Sequence, residues 1–335
     1  MKRILRAALV SAAVLLGLAA ATLGAFRWEA ARREVRLATE AAPPTGRFVK
    51  AGDVDLFVQE AGPADGAPVL LVHGTGAWSE TWRAALSVLA LSGYRAIAID
   101  LPPLGYSQRP STPRYGKRDQ GRRIVAVLDA LKIPRAVLVG HSFGAGPTVE
   151  AVLLAPDRVQ ALVLVDAALG IGPDDGAAPK PPLPLRALLA VAPLRDALVA
   201  TFLTNPLFTR RLLEQFIADP AHATDARVAV YQRPLSVRGS TRAIGEWLPA
   251  LLTPTEVAAS ERPASYRRLT MPVYLIWGER DTITPLAQGR RLARLRPGAI
   301  LETMPQVGHI PQIEDPAAFN ALLLKFLAEL PPARL

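Results

Sequence analysis

Ala136-Val137-Leu138-Val139-Gly140-His141-Ser142-Phe143-Gly144 sets a G-x-S-x-G pattern directly behind a short apolar run and ahead of a helical pattern. A strand that turns sharply into a helix at such a pattern holds its serine hydroxyl out at the top of a sheet. Small residues recur by chance in an Ala- and Gly-rich chain, so the pattern alone carries little. Its surroundings carry more. His73-Gly74-Thr75-Gly76 follows an earlier apolar strand, Asp281 follows a later one, and Gly308-His309 follows the last. The chain order is thus a glycine-rich loop, Ser, Asp, His.

Working outward, Arg47 to Ala61 has the pattern of a β-hairpin turning at Gly52-Asp53. Strands are predicted at Val69–Val72, Tyr94–Ile99, Ala136–Val139, Val159–Val165, Val273–Trp277 and Ala299–Met304. Helices are predicted after Ser79 as N-cap, over Arg118–Leu131, from Ser142 towards Leu154, and over Asp315–Leu330. Apolar strands alternating with helices predict an α/β fold: a mostly parallel, eight-stranded sheet with helices on both faces. Residues 168–270 break the alternation. They begin proline-rich (Pro173, Pro179, Pro181, Pro182, Pro184) and continue in a helical pattern, too long for one crossover. They predict a helical cap inserted after the sixth strand, lying over the strand ends where doubly wound sheets place ligands. The core then comprises residues 47–167 and 271–335.

Ahead of the core, Lys2, Arg3 and Arg6 precede an uncharged run from Ala7 to Phe26. At 1.5 Å per residue this run spans about 30 Å, a bilayer core. It exceeds the apolar stretch of a typical cleaved signal, so residues 1–26 are expected to be a single-pass signal anchor and residues 27–46 a linker. The catalytic domain is expected outside the cytoplasm, although Arg27, Arg32, Arg33 and Arg36 rival the positive charge before the span. The chain has 335 residues, a net charge of +10 and no cysteine. Disulfides, thiolate metal sites and lipoprotein processing are therefore excluded. The basic excess is spread along the chain without interleaved aromatics, which argues against nucleic-acid binding and suits a solvated or lipid-facing surface.

The stretch from about Gly46 to Leu330 resembles the α/β-hydrolase fold family, in its subgroup with a helical cap. The resemblance rests on His73-Gly74-Thr75-Gly76, Asp100-Leu101-Pro102-Pro103-Leu104-Gly105-Tyr106-Ser107, Gly140-His141-Ser142-Phe143-Gly144, Trp277-Gly278-Glu279-Arg280-Asp281 and Gly308-His309-Ile310-Pro311. These motifs are specific for the family and not for a substrate. Pro103 departs from the pattern, since members often carry glycine there.

Acyl transfer by serine needs a base to take the hydroxyl proton. The expected roles are Ser142 as nucleophile, His309 as base and Asp281 as the acid that fixes the imidazole. Asp166, after the sixth strand, is the rival acid, while Asp100 and His73 are expected to be structural. The oxyanion is expected to lie on the backbone N–H groups of Thr75 and Phe143. No cofactor and no metal are implied. The expected activity is hydrolysis of an apolar carboxylic ester. Hydrolysis of a carbon–carbon bond in a diketone-like substrate is the alternative, and a non-catalytic binding module is a third reading. Oligomeric state is not legible.

Overall fold

A computed structural model describes residues 1–172 and 181–330. Its eight-stranded sheet has the order β1-β2-β4-β3-β5-β6-β7-β8, with β1 (Gly46–Ala51), β2 (Val54–Ala61), β3 (Pro68–Val72), β4 (Arg95–Ile99), β5 (Ala136–His141), β6 (Val159–Val165), β7 (Val273–Gly278) and β8 (Ile300–Met304). β2 pairs antiparallel with β1 and β4; every other pairing is parallel. The predicted hairpin, strands and mostly parallel sheet are all present.

The apolar strands are continuous because both faces are covered. Along β3, Leu70 and Val72 enter one buried cluster with Ile124, Val149 and Leu292; Val69 and Leu71 enter the opposite one with Leu86, Phe319 and Phe326. The helices Lys117–Ala130, Ala145–Leu154 and Leu286–Leu295 therefore lie on one face, and Arg83–Leu91 and Pro316–Ala328 on the other. One local expectation fails: Ser79 does not cap a helix. It opens a 3₁₀ turn (Ser79–Trp82), and its N–H donates to Asp100 Oδ1 at 2.7 Å. A buried carboxylate from the next strand end outcompetes the local cap.

Between β6 and β7 lie the helices Leu183–Ala190, Ala192–Leu198, Pro206–Glu214, Asp225–Gln232 and Ser240–Leu252, with a π-helical turn at Val199–Leu203. Of the expected proline run, Pro173 and Pro179 lie outside the described residues. The insertion shares its apolar contacts with the loops above the strands. Val199, Ile244 and Trp247 pack with Leu104, Tyr115 and Phe143; Leu213, Ile217 and Val228 pack with Ile310 and Ile313.

The N-terminal helix α1 spans Lys2–Arg33, about 48 Å at 1.5 Å per residue, and is long and apolar enough to cross a membrane. It does not stop where the apolar run stops. The stretch expected as a linker continues the helix and docks on the insertion: Ala30 is buried, and Glu34 accepts from the Thr241 N–H (3.1 Å) and from the Thr241 hydroxyl. Beyond it, Arg36 donates its N–H to Ser236 O, and Arg238 N–H donates to Arg36 O.

Candidate active site

β5 ends at His141, and Ser142 follows with φ +50° in a 3₁₀ turn that leads into the helix Ala145–Leu154. A non-glycine residue in the left-handed region persists only where its surroundings over-determine it. Here a Cβ on Gly144 would overlap the His73 carbonyl, and one on Gly74 would come within 2.8 Å of His141 Nδ1 and 2.9 Å of Ser142 Cβ. The elbow and the loop after β3 are in direct backbone contact, and glycine is what lets them meet.

His309 stands on the loop after β8. Its Nε2 lies 2.7 Å from Ser142 Oγ and its Nδ1 2.8 Å from Asp281 Oδ2. The three residues are almost fully buried. Asp281 Oδ2 also accepts from Thr284 Oγ1 at 2.5 Å, and Oδ1 accepts from the N–H groups of Ile283 (2.7 Å) and Thr284 (2.9 Å). Burial pushes the Asp281 carboxyl up, but hydrogen bonds from His309 and Thr284 outweigh it and hold it below the usual carboxylate value. The expected Ser, His and Asp are thus brought together in bonding order, with the imidazole placed between the serine hydroxyl and the carboxylate.

Asp166 does not reach His309 as a hydrogen-bond partner. It accepts from the Gly278 N–H at 2.9 Å through Oδ1, while Oδ2 is buried with no ordinary donor. Burial, then the neighbouring Asp281 charge, push Asp166 well above the usual carboxylate value. A proton on Asp166 turns this oxygen pair into an O–H donor facing the Asp281 carboxylate. Of the two expected carboxylates, Asp281 is the one that bonds His309. Among the described residues, Asp166, Asp281 and His309 are the one group whose ligand atoms approach within metal-binding range of one another. Within it, His309 Nδ1 and Asp281 Oδ2 already bond each other, and the other carboxylate bonds go to Ile283, Thr284 and Gly278.

The remaining histidines are accounted for. His73 Nδ1–H donates to Gly74 O (2.8 Å) and its Nε2 accepts from the Leu101 N–H (2.9 Å), with burial lowering its pKa to about 4. His141, beside the serine, donates from Nε2 to the His309 carbonyl at 2.7 Å; burial, then the nearby His309, lower its pKa to about 3. His222 is half-exposed on a turn of the insertion. Asp100 fastens two loops, accepting from the N–H groups of Ser79 and Tyr106 at 2.7 Å each, and burial raises its pKa to about 6.

Three groups around the site have no motif. Glu314 accepts from the N–H groups of Gly308 (2.9 Å), Ile310 (3.0 Å) and Ala218 (2.7 Å), tying the His309 loop to the insertion. Phe216 O accepts the His309 N–H at 2.8 Å. Arg109 lines the cavity beside the triad, whose wall also includes Thr75, Leu104, Leu203, Phe216 and Ile310. Its guanidinium donates to Gly105 O (3.0 Å), Ser240 Oγ (3.1 Å) and Ser107 O, leaving Nε–H unpaired. Arg109 is the one charged side chain in an otherwise apolar and hydroxyl-bearing wall.

Residues 67–316 match the alpha/beta hydrolase fold family. A 2-hydroxymuconate semialdehyde hydrolase from Pseudomonas sp. (strain CF600) is 32% identical, over 87% of this chain and 97% of that relative. A 2-hydroxy-6-oxo-2,4-heptadienoate hydrolase from Pseudomonas putida is 28% identical, over 84% and 96%. The structure of a meta-cleavage product hydrolase from Pseudomonas fluorescens IP01 superposes with a TM-score of 0.65 at 26% identity, over 85% of this chain and 98% of that one. The chain belongs to the alpha/beta hydrolase fold family.

Proposed function

We propose, for this member of the alpha/beta hydrolase family, hydrolysis of a carbon–carbon bond in a dienol-ketone that ends in a carboxylate. The observation that carries this reading is the nearly full-length likeness to the 2-hydroxymuconate semialdehyde hydrolase. A 2-hydroxy-6-oxo-2,4-dienoate contains no ester or amide. The bond that water can cleave in it lies between C5 and the C6 carbonyl. The finding displaces the ester reading to second place, since the curated relatives named above act on this kind of substrate.

In this reading the dienol first becomes the keto form, its hydroxyl proton leaving O2 and a proton arriving at C5. Ser142 Oγ then adds to C6 as His309 Nε2 takes its proton, and the oxyanion settles on the N–H groups of Thr75 and Phe143. The C5–C6 bond breaks, its electron pair flowing through C4–C3 into the C2 carbonyl, and the proton on His309 Nε2 passes to the departing enolate, which leaves the imidazole neutral for the next step. One product is a 2-hydroxypenta-2,4-dienoate; the other fragment remains as an ester on Ser142. Water, deprotonated by His309, releases it as a carboxylic acid. Asp281 holds the imidazole with Nδ1–H inward and stabilises the cation without taking its proton.

The apolar wall suits the carbon chain, and the positive charge of Arg109 in that wall suits the substrate carboxylate. We assign residues 47–167 and 271–335 to the catalytic core, 168–270 to the cap and 1–26 to a membrane anchor that leaves the core outside the cytoplasm. The test compares 2-hydroxy-6-oxo-2,4-heptadienoate, followed by loss of its dienolate absorbance, with p-nitrophenyl esters of apolar acids. A kcat/KM that favours the dienoate is expected; a clear preference for the esters restores the ester reading. Labelling of Ser142 by a fluorophosphonate is expected either way, and its absence would leave a non-catalytic binding module.

A further inference from the structure

The apolar run of α1 ends at Phe26, yet the helix already packs on the insertion before that point. Leu23 and Phe26 are half-buried, Ala30 is buried and Arg33 half-buried, a spacing of three and four that keeps one stripe facing the protein. The stripe meets the helix Ala192–Leu198 and the π-helical turn Val199–Leu203. Leu23 to Phe26 covers about 4.5 Å of helix. If the apolar run spans a bilayer, the π turn therefore stands at the depth where hydrocarbon gives way to head groups.

The surface there is made for that position. Phe202 is 52% exposed, Leu203 41% and Leu207 80%, with Val191 and Leu194 also exposed on the same part of the insertion. The Phe202 and Phe208 rings, 6.1 Å apart, make the patch continuous from the π turn to the helix Pro206–Glu214. Exposed apolar side chains in such a cluster mark a contact with something apolar. The helices that meet the π turn carry Arg27 and Arg32 on α1 and Arg210 and Arg211 on Pro206–Glu214. Trp28 is 60% exposed with the Arg32 guanidinium 4.6 Å over its ring, an aromatic and cationic pair suited to the head-group layer. Leu203 belongs both to the patch and to the cavity wall, so the cavity is bordered by the same face.

We propose that Phe202, Leu203 and Leu207 dip into the bilayer that α1 crosses, so that the cavity beside Ser142 opens at the membrane interface and takes from the lipid substrates whose apolar chain lies in hydrocarbon and whose carboxylate lies among the head groups. The proposal rests on the anchor reading of α1. The occupant is lipid because the patch is continuous with α1, an apolar helix long enough to cross a membrane that packs on the same π turn.

The chain has no cysteine, so single labels can be placed on the full-length protein. Phe202→Cys and Leu207→Cys, with Val14→Cys inside the span and Leu91→Cys on the far edge of the core, are each labelled with an environment-sensitive fluorophore in phosphatidylcholine–phosphatidylglycerol vesicles. Lipids carrying a nitroxide deep in the acyl chain are expected to quench position 14, lipids carrying a shallow one positions 202 and 207, and neither position 91. Quenching at 14 but not at 202 and 207 overturns the proposal and leaves the anchor standing. No quenching at 14 removes the anchor and the proposal with it. A blue shift at 202 and 207 without nitroxide quenching means a protein partner covers the patch, which also overturns it. In a second measurement, Phe202→Ser with Leu207→Ser is expected to raise KM for a long-chain, vesicle-partitioned substrate. KM for a short soluble one should stay unchanged. Equal KM for both substrates contradicts loading from lipid.

Discussion

Replacing Asp281 by asparagine tests the triad through one atom. Asp281 Oδ1 accepts two backbone N–H groups, from Ile283 and Thr284. An asparagine at this position keeps its carbonyl oxygen there, because turning the amide would set NH₂ against two donors. Its NH₂ then replaces Oδ2, 2.8 Å from His309 Nδ1. Nδ1 must now accept, so the ring proton moves to Nε2, the nitrogen 2.7 Å from Ser142 Oγ. The histidine faces the serine as a donor and cannot take its proton. A reversed tautomer of this kind costs about 10⁴ in kcat, or about 5.4 kcal/mol of transition-state stabilisation at 1.36 kcal/mol per tenfold. Hydrolysis of the best dienoate or ester is measured at saturation for Asp281→Asn and Asp166→Asn, with circular dichroism confirming both folds. Asp166 does not touch the imidazole, and its substitution should cost far less than that of Asp281. A nearly silent Asp281→Asn beside a crippled Asp166→Asn would refute the assignment.

Ser142→Ala and His309→Ala should each lower kcat by about 10⁴–10⁶, with the double variant no worse, as steady-state rates will show. Gly74→Ala places a Cβ against His141 and Ser142; kcat should fall up to about 10²-fold with the fold intact, and an unchanged rate would mean the elbow yields. Arg109→Met should raise KM for a dienoate and leave KM for a neutral ester unaltered; equal changes would remove Arg109 from carboxylate recognition. Asp166 titrates higher folded than unfolded, so its protonated form stabilises the fold at low pH, and that stability is lost as pH rises towards the folded value. Asp166→Asn should therefore gain on the wild type with increasing pH, by about 1.4 kcal/mol per unit at most; parallel urea midpoints at pH 5 and 8 would show that Asp166 is not protonated. Glu34→Ala strands the buried Thr241 N–H and should cost about 1–3 kcal/mol in the same melts.

What could be read before the structure follows from what is local. β3, β5 and β7 are apolar in unbroken runs because both faces are covered, so their positions were legible to within a residue or so. Ser142 and His309 were legible because glycines punctuate their loops. Asp166 misled in part: a carboxylate after β6 resembles a catalytic acid, and nothing in a linear pattern says that it will be buried facing Asp281 with its carboxyl pushed up. Glu314 gave a faint signal, five residues beyond His309, but its partner Ala218 is 96 residues away in sequence. Arg109 lay among five arginine pairs and many single arginines, and its place beside the cavity depends on a loop whose path is set by buried Asp100. The docking of residues 23–36 was hidden for another reason. Charged side chains after an apolar span look like solvated linker, and only the tertiary partner Thr241 reveals that Glu34 is inside.

The bond from the His309 N–H to Phe216 O gives the insertion a hold on the residue we propose as general base. Glu314 adds to it, since one carboxylate grips Ala218 on the insertion and both neighbours of His309. Any motion that lifts residues 216–218 to widen the entrance must break those hydrogen bonds and let the imidazole drift from Ser142. The fit of the insertion over the cavity and the placement of the imidazole beside Ser142 are therefore held by one set of hydrogen bonds.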